Sequence, residues 1–173
     1  MLITRITSLD EDTCAQLADV LMDCVEGGAS VSFMWPLARE RALAFWQGLR
    51  GGIASGERAL LMAQDQDGRI VGTVQVVLAQ PDNQPHRADI AKLLVHRCAR
   101  RKGVARALME HAEAVAAHHA KDVLVLDTAT GGEAEELYLN LGWSAVGAIP
   151  GYALWPNGGL CSTTIFYKLI RTL

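Results

Sequence analysis

Between Cys14 and Val25 the apolar residues Cys14, Leu17, Ala18, Leu21 and Val25 recur at the three- and four-residue spacing of one helix face. Ser8-x-x-Glu11 has the form of a capping box ahead of that face, and Gly27-Gly28 closes it. A second helix is expected from Pro36, since proline is favoured at the first helical position. Ala38, Ala42, Phe45, Trp46 and Leu49 form its apolar stripe, and Gly51-Gly52 is its expected end. The period then shortens. RALLMAQ (58–64) and RIVGTVQVVLAQ (69–80) flank DQDG, whose Asp67-Gly68 is a strong hairpin signal. PDNQP (81–85) reads as a loop and RADIAKLLV (87–95) as a further strand, nearly continuous in apolar residues toward its end. A helix is expected from about Val104 to His119, with Val104, Leu108, Ala112, Val115 and Ala116 on one face. DVLVLDT (122–128) has the composition of a strand buried on both faces. Thr130-x-x-Glu133 is a second capping box, opening a short helix with Ala134, Leu137, Tyr138 and Leu141 on one side and Gly142 at its C-terminal cap. WSAVGAI (143–149) and TTIFYKLI (163–170) are closing strands around the loop PGYALWPNGG (150–159). With no repeat and no linker, the pattern predicts a single α/β domain over residues 1–173.

Composition narrows the class. Half of the residues are hydrophobic and the net charge is -3, so a general nucleic-acid binder, which needs a basic domain, is not expected. No apolar run approaches the roughly 20 residues of a membrane span. The N-terminus lacks the basic-then-apolar layout of a signal peptide, so a cytoplasmic protein is expected. The cysteines Cys14, Cys24, Cys98 and Cys161 form no C-x-x-C pair and are expected as free thiols. His111 and His118 can share a helix face, but no paired-ligand motif supports a metal site.

One local pattern breaks a physical rule. In HRCARRKGVARALMEH (96–111), Arg97, Arg100, Arg101 and Lys102 all precede the start of a helix, where positive charge opposes the macrodipole. No Ser, Thr, Asp or Asn caps that start, so its first N–H groups lack partners. Gly103 allows a ligand close to the backbone. Uncapped amides, a glycine and clustered cations together suit a phosphate; the alternative is a solvated basic turn. Neither the P-loop pattern nor the dinucleotide fingerprint is present.

RRKGVA (100–105) is similar to the R/Q-x-x-G-x-G/A signature of the GCN5-related N-acetyltransferases. The strand ending KLLV, the helix after the loop, the LVLDT strand and AEELYLNLGW (134–143) follow in that family's order, from about Ala59 to Tyr167. GASVSFMWPL, LDTATG and IPGY resemble the bacterial branch that includes the tabtoxin-resistance acetyltransferases. The resemblance implies a mixed, twisted sheet with about four helices, its central strands (87–95 and 122–128) splayed to admit acetyl-CoA. It implies that backbone at Leu93, Leu94 and Val95 pairs with the pantetheine. It also implies that Arg100, Arg101, Lys102, Gly103, Val104 and Ala105 hold the pyrophosphate. An asparagine that often precedes the A-x-x-L-Y helix in that family is Gly131 here.

Acetyl transfer to an amine needs a neutral amine, a stabilised oxyanion and a proton donor for the thiolate. The resemblance places Tyr138 beside the thioester sulfur as the acid. The bland alternative is a core tyrosine on the face of Leu137 and Leu141. Asp127, at the end of its strand with Thr128 beside it to position a water, and Asp89, early on the preceding strand, compete for the role of base. Phe33, Trp35, Tyr152 and Trp155 either line the pocket of a small-molecule amine or belong to the core or a homodimer interface. The sequence therefore supports two readings. One is an acetyl-CoA-dependent N-acetyltransferase of a small amine such as a toxin or antibiotic, an amino acid or a polyamine. The other is a non-catalytic acyl-CoA sensor or ligand-sequestering module.

Overall fold

The computed structural model describes residues 1–170, and the last three positions of the expected 1–173 domain lie outside the described residues. The elements are β1 (Leu2–Ile6), α1 (Glu11–Glu26), α2 (Arg39–Gln47), α3 (Arg50–Ala54), β2 (Arg58–Gln64), β3 (Ile70–Val77), β4 (Arg87–Val95), α4 (Val104–His118), β5 (Val123–Ala129), α5 (Glu133–Asn140), β6 (Ser144–Leu154) and β7 (Leu160–Leu169). Arg97–Ala99 forms a short 3-10 turn between β4 and α4. The strands form one 7-stranded sheet in the order β1-β2-β3-β4-β5-β7-β6. All neighbours are antiparallel except β4 and β5, which are parallel. The expected mixed α/β sheet is thus present, flanked by four longer helices and the five-residue α3.

Each face of the sheet carries its own core. Alternate residues of a strand point to opposite faces, and β2 uses both. Ala59, Leu61 and Ala63 join the core under α4, whereas Leu60 joins the core under α1 and α2. This double burial explains why the central strands read as unbroken apolar runs. Gly72 on β3 lies where α4 meets the sheet. A Cβ there would stand 3.0 Å from the Leu94 carbonyl, 3.1 Å from Val104 Cγ1 and 3.2 Å from Leu108 Cδ1.

Several local expectations need correction. β1 was not anticipated, because a five-residue edge strand exposed at Leu2 and buried at Ile6 shows little alternation. Helix α1 is capped by Asp10, whose carboxylate accepts from Thr13 N–H at 2.7 Å, and not by the Ser8–Glu11 box. The second helix starts at Arg39 after an extended Ala38, so Pro36 lies before it. Gly51-Gly52 does not end the helical region: α3 runs through both, anchored by buried Ile53 and by Arg50, which bonds the Leu9 carbonyl at 2.9 Å and Glu11 at 2.6 Å. Thr130 does not cap α5; its hydroxyl pairs with that of Thr164 at 2.9 Å, and Gly132 occupies the cap position. Much of PGYALWPNGG is strand, with Ala153 and Leu154 paired to Cys161 and Leu160. A register irregularity between Ile149 and Ala153 absorbs Pro150 and Gly151, which β6 tolerates because it is the sheet edge.

Gly72→Ala is expected to destabilise the fold by about 1–3 kcal/mol through overpacking. Urea unfolding would read this as a lower midpoint at unchanged slope. An unchanged midpoint would mean that α4 can move off β3 without cost.

Candidate active site

The site begins where two strands part. β4 and β5 pair only at Arg87, Ala88 and Asp89, opposite Val123, Leu124 and Val125. Beyond Asp89, β4 keeps only its partner β3, and its other edge is open. The β3–β4 register shifts between the pairs Gln75↔Ala91 and Thr73↔Leu94, and Lys92, within the shift, has φ 52. This bulge inverts the facing of the strand. Ala88 and Ile90 belong to the α4 core, but Leu94 belongs to the α1 core, while Leu93 and Val95 now pack toward α4. A cavity of about 710 Å³ fills the gap, lined by residues 90–95 of β4, Asp127, Thr128 and Ala129 of β5, and Leu137 and Tyr138 of α5. That is ample for a small-molecule cofactor, since ligand pockets run about 300–1,000 Å³.

The start of α4 closes one end. Arg101 (φ 60) and Gly103 (φ 78) are both left-handed, and Gly103 caps α4 with no side-chain bond. No side chain lies within 4 Å of where a Gly103 Cβ would stand. Among the described residues, the backbone N–H groups of 101–106 donate to no protein acceptor. They form a row of free donors at the positive end of a helix dipole. The cations are differently occupied. Arg97 is drawn to α1, bonding Asp23 and Glu26. Arg100 Nε donates to the Val95 carbonyl at 3.2 Å, and Lys102 Nζ to the Cys98 carbonyl at 2.9 Å. Arg101 pairs with Glu133 of α5 at 2.6 Å, with both side chains largely exposed. Exposed pairs hold weakly, so Arg101 can turn to a phosphate.

The deeper end gathers chemistry. Tyr138 is buried, its ring 5.7 Å from that of Phe166 and 6.0 Å from that of Trp143. Burial, and then the charge of Asp127, push its phenol well above the ordinary value. Asp127 is solvent-accessible at the seam between the main cavity and a smaller one of about 290 Å³. Ser30 and Ser32 line both cavities as well. Lys92, which sequence reasoning did not single out, also lines the main cavity. Its Nζ donates to Ser32 Oγ at 3.1 Å and lies 5.9 Å from the centre of the Phe45 ring. Burial lowers its pKa; the Asp127 charge opposes that shift and Arg58 adds to it. The only prior signal was a lysine inside an apolar strand.

The expected site residues therefore divide. Leu93, Leu94, Val95, Arg100, Arg101, Gly103, Val104, Ala105, Asp127, Tyr138 and Trp155 line the main cavity. Phe33 and Tyr152 line the smaller one, Phe33 edge-on to Phe45 at 5.3 Å. Lys102 lines neither, and nor does Trp35, whose N–H donates to the Pro156 carbonyl at 2.9 Å. Asp89 is not brought to the cavity either. It lies on the paired stretch of β4, bonded to Arg87 and, at 3.2 Å, to Gln80. The Val95 carbonyl is already engaged by Arg100 and by Cys24 Sγ at 3.5 Å, which removes one acceptor from the open edge. Among the described residues, no group of three or more His, Cys, Asp or Glu side chains is placed to hold a metal ion.

A mixed sheet opened between parallel strands, with an uncapped helix start at the opening, defines a nucleotide-type cofactor fold. The profile of the family described as Acetyltransferase (GNAT) family matches residues 16–143, and the chain belongs to that family. Solved structures agree with it over nearly their whole length. An N-acetyltransferase from Staphylococcus aureus Mu50 shares 12% identity at TM-score 0.79, covering 99% of this chain and 100% of that one. The structure of yncA from Salmonella typhimurium with its cofactor acetyl-CoA shares 16% at 0.75, covering 100% and 96%. An aminoglycoside 6'-N-acetyltransferase complexed with coenzyme A shares 17% at 0.75, covering 100% and 99%. At these identities the likeness is one of fold.

Lys92 gives a prediction with a definite sign. Its folded-state pKa is lowered, so the unfolded chain binds more protons between the folded value and about 10.4, and stability rises with pH across that window. Lys92→Met is therefore expected to melt above the native chain at pH 7, with the gap closing as pH approaches 10.4. A gap that stays constant with pH would mean that Lys92 carries no desolvation penalty.

Proposed function

We propose that this protein is an acetyl-CoA-dependent N-acetyltransferase of a small-molecule primary amine. The observation that carries the reading is the meeting of three features in one cavity: the open edge of β4, the unbonded amides of 101–106, and the Tyr138–Asp127 pair. The amides, with Arg101 released from Glu133, would hold the pyrophosphate. The β4 edge around Leu93 and Leu94 would pair with the pantetheine as an added strand. Acetyl-CoA supplies the activated acetyl thioester. Asp127 attracts the ammonium of the acceptor and takes its proton, directly or through a water beside Thr128. Tyr138 Oη donates a hydrogen bond to the departing sulfur. A phenol's ordinary value of about 10 already lies above a thiol's of about 8.5, and burial raises Tyr138 further. Tyr138 therefore stabilises the thiolate by hydrogen bonding, and the sulfur takes up the second proton that the acceptor nitrogen sheds as it becomes an amide.

Asp89 is the weaker candidate for the base, since Arg87 and Gln80 already occupy it away from the cavity. Phe33, Tyr152 and Trp155 are proposed to contact the acceptor, which approaches through the smaller cavity toward Asp127. GASVSFMWPL, LDTATG and IPGY support an acceptor of the amino-acid-like toxin class handled by the tabtoxin-resistance branch. Exposed Val146, Ile149 and Leu160 on the β6–β7 hairpin support a homodimer. The proposed setting is cytoplasmic; no helix among the described residues is long and apolar enough to cross a membrane.

The test joins binding to turnover. Acetyl-CoA at a hundred times its Kd is expected to stabilise the protein by about 2.7 kcal/mol, read as a rise in Tm. Thiol release should then appear with one class of amine in a panel of amino acids, polyamines and aminoglycosides. No rise in Tm at millimolar acetyl-CoA would overturn the reading. A rise in Tm without thiol release from any amine would favour the sensor instead. Tyr138→Phe, which removes one donor to the developing thiolate, is expected to lower kcat by about 10²-fold while leaving the acetyl-CoA Tm shift intact. Full activity in that variant would remove Tyr138 from the chemistry.

A further inference from the structure

Outside the cavity, the turn between β4 and α4 holds a second reactive arrangement. Cys98 is exposed, and its Sγ lies 3.0 Å from His96 Nδ1. The same Nδ1 receives the Cys98 backbone N–H at 3.2 Å. A backbone N–H can only donate, so Nδ1 carries no proton, and its one lone pair is shared between that N–H and the nearer Cys98 thiol, which can pass its proton there. The ring proton then sits on Nε2, which lies 3.3 Å from Asp23 Oδ1. Asp23 is itself fixed: its side chain is 9% exposed, and Oδ2 accepts the Arg97 N–H at 2.8 Å. Thiol and imidazole thus stand in contact, with the Asp23 carboxylate beside the far ring nitrogen, a nucleophile–base pair of the kind that activates a thiol. Arg97 is engaged by Asp23 and Glu26, but Lys102 brings its charge to the turn, its Nζ donating to the Cys98 carbonyl at 2.9 Å. The other three cysteines, Cys14, Cys24 and Cys161, are buried, and burial raises the Cys24 thiol. Nothing in the proposed acetyl transfer uses Cys98, His96 or Asp23.

We propose that Cys98 is an activated thiol and the attachment site of a small anionic disulfide. The thiol proton passes to His96 Nδ1, and the Cys98 sulfur attacks one sulfur of R–S–S–R. The R–S–S–R bond breaks as the Cys98–S–S–R bond forms, and the leaving RS⁻ takes the proton from His96. Cys98 is oxidised and the small disulfide is reduced. The anionic class follows from Arg100 and Lys102, which bond backbone carbonyls and, among the described residues, pair with no carboxylate, so their charge is left to attract a negatively charged partner. Ala99 and Arg100, next in the chain, line the main cavity. An adduct at Cys98 therefore crowds the loop and weakens acetyl-CoA binding. That consequence rests on the acetyl-CoA reading; the reactivity does not.

The experiment uses the full chain and 5,5'-dithiobis(2-nitrobenzoate), itself an anionic disulfide. One thiol per chain is expected to react about tenfold or more faster than glutathione in the same buffer, with mass spectrometry placing the adduct on Cys98. Cys98→Ser should abolish the fast phase. His96→Asn keeps an acceptor for the Cys98 N–H but removes the base, and should bring the rate down to that of glutathione at unchanged Tm. The rate advantage over neutral 2-hydroxyethyl disulfide should shrink with added salt. A native rate no faster than glutathione overturns the proposal whether or not the His96 variant folds. So does a folded His96→Asn variant that reacts as fast as the native chain. The adduct should also reduce the Tm shift produced by acetyl-CoA. If acetyl-CoA shifts Tm in neither form, the cofactor reading fails while the thiol kinetics still decide this proposal.

Discussion

The separation of β4 from β5 after Asp89 is the constraint on which the rest of the molecule depends. A central strand with one unpaired edge leaves peptide groups without partners, a cost that a sheet normally avoids. Here the strand is held from above and below. Ala88 and Ile90 are locked into the core under α4, and Leu94 into the core under α1. The bulge at Lys92 makes this two-sided grip possible, because it lets residues on either side of one kink anchor to opposite faces. The open edge is therefore a rigid template, and a ligand that adds a strand to it meets backbone already in place.

Electrostatics at the α4 start follow from the same architecture. Four cations before an uncapped helix cost stability if they act only on the dipole. Arg97 is removed from that account by Asp23 and Glu26 of α1, and thereby ties the loop to the helix on the far face. The remaining strain is local: unbonded amides and an exposed Arg101–Glu133 pair spanning the mouth of the cavity. An anion that satisfies the amides and takes Arg101 turns an unfavourable helix end into a binding site.

Much of this was legible in the chain because it rests on local chemistry. The glycine at the α4 entry, the uncapped helix start and the β4 limits follow from residues within a few positions of one another. What was not legible depends on distant partners. Asp89 and Asp127 look alike as carboxylates on strands, and only the point where pairing stops separates them, leaving Asp89 in the paired zone and Asp127 at the cavity. Lys92 looked like an interruption in an apolar run, since the bulge that turns it into the cavity has no signature in RADIAKLLV. The strand content of PGYALWPNGG was hidden because Pro and Gly signal turns unless a strand edge absorbs them.

The proposed chemistry rests on one negative charge shared between two neighbours. Asp127 raises Tyr138 and opposes the lowering of Lys92, so its field reaches both walls of the cavity. A protonated amine drawn to Asp127 would weaken that field at Tyr138, and loss of the amine's proton would restore it. The phenol stays protonated in either state because burial is the larger cause of its shift. Tyr138 is then a fixed donor whose readiness does not depend on which proton has moved. In the proposed reading Asp127 is the group that responds to the acceptor, so selectivity for the amine and stabilisation of the sulfur would fall to different side chains in the same cavity.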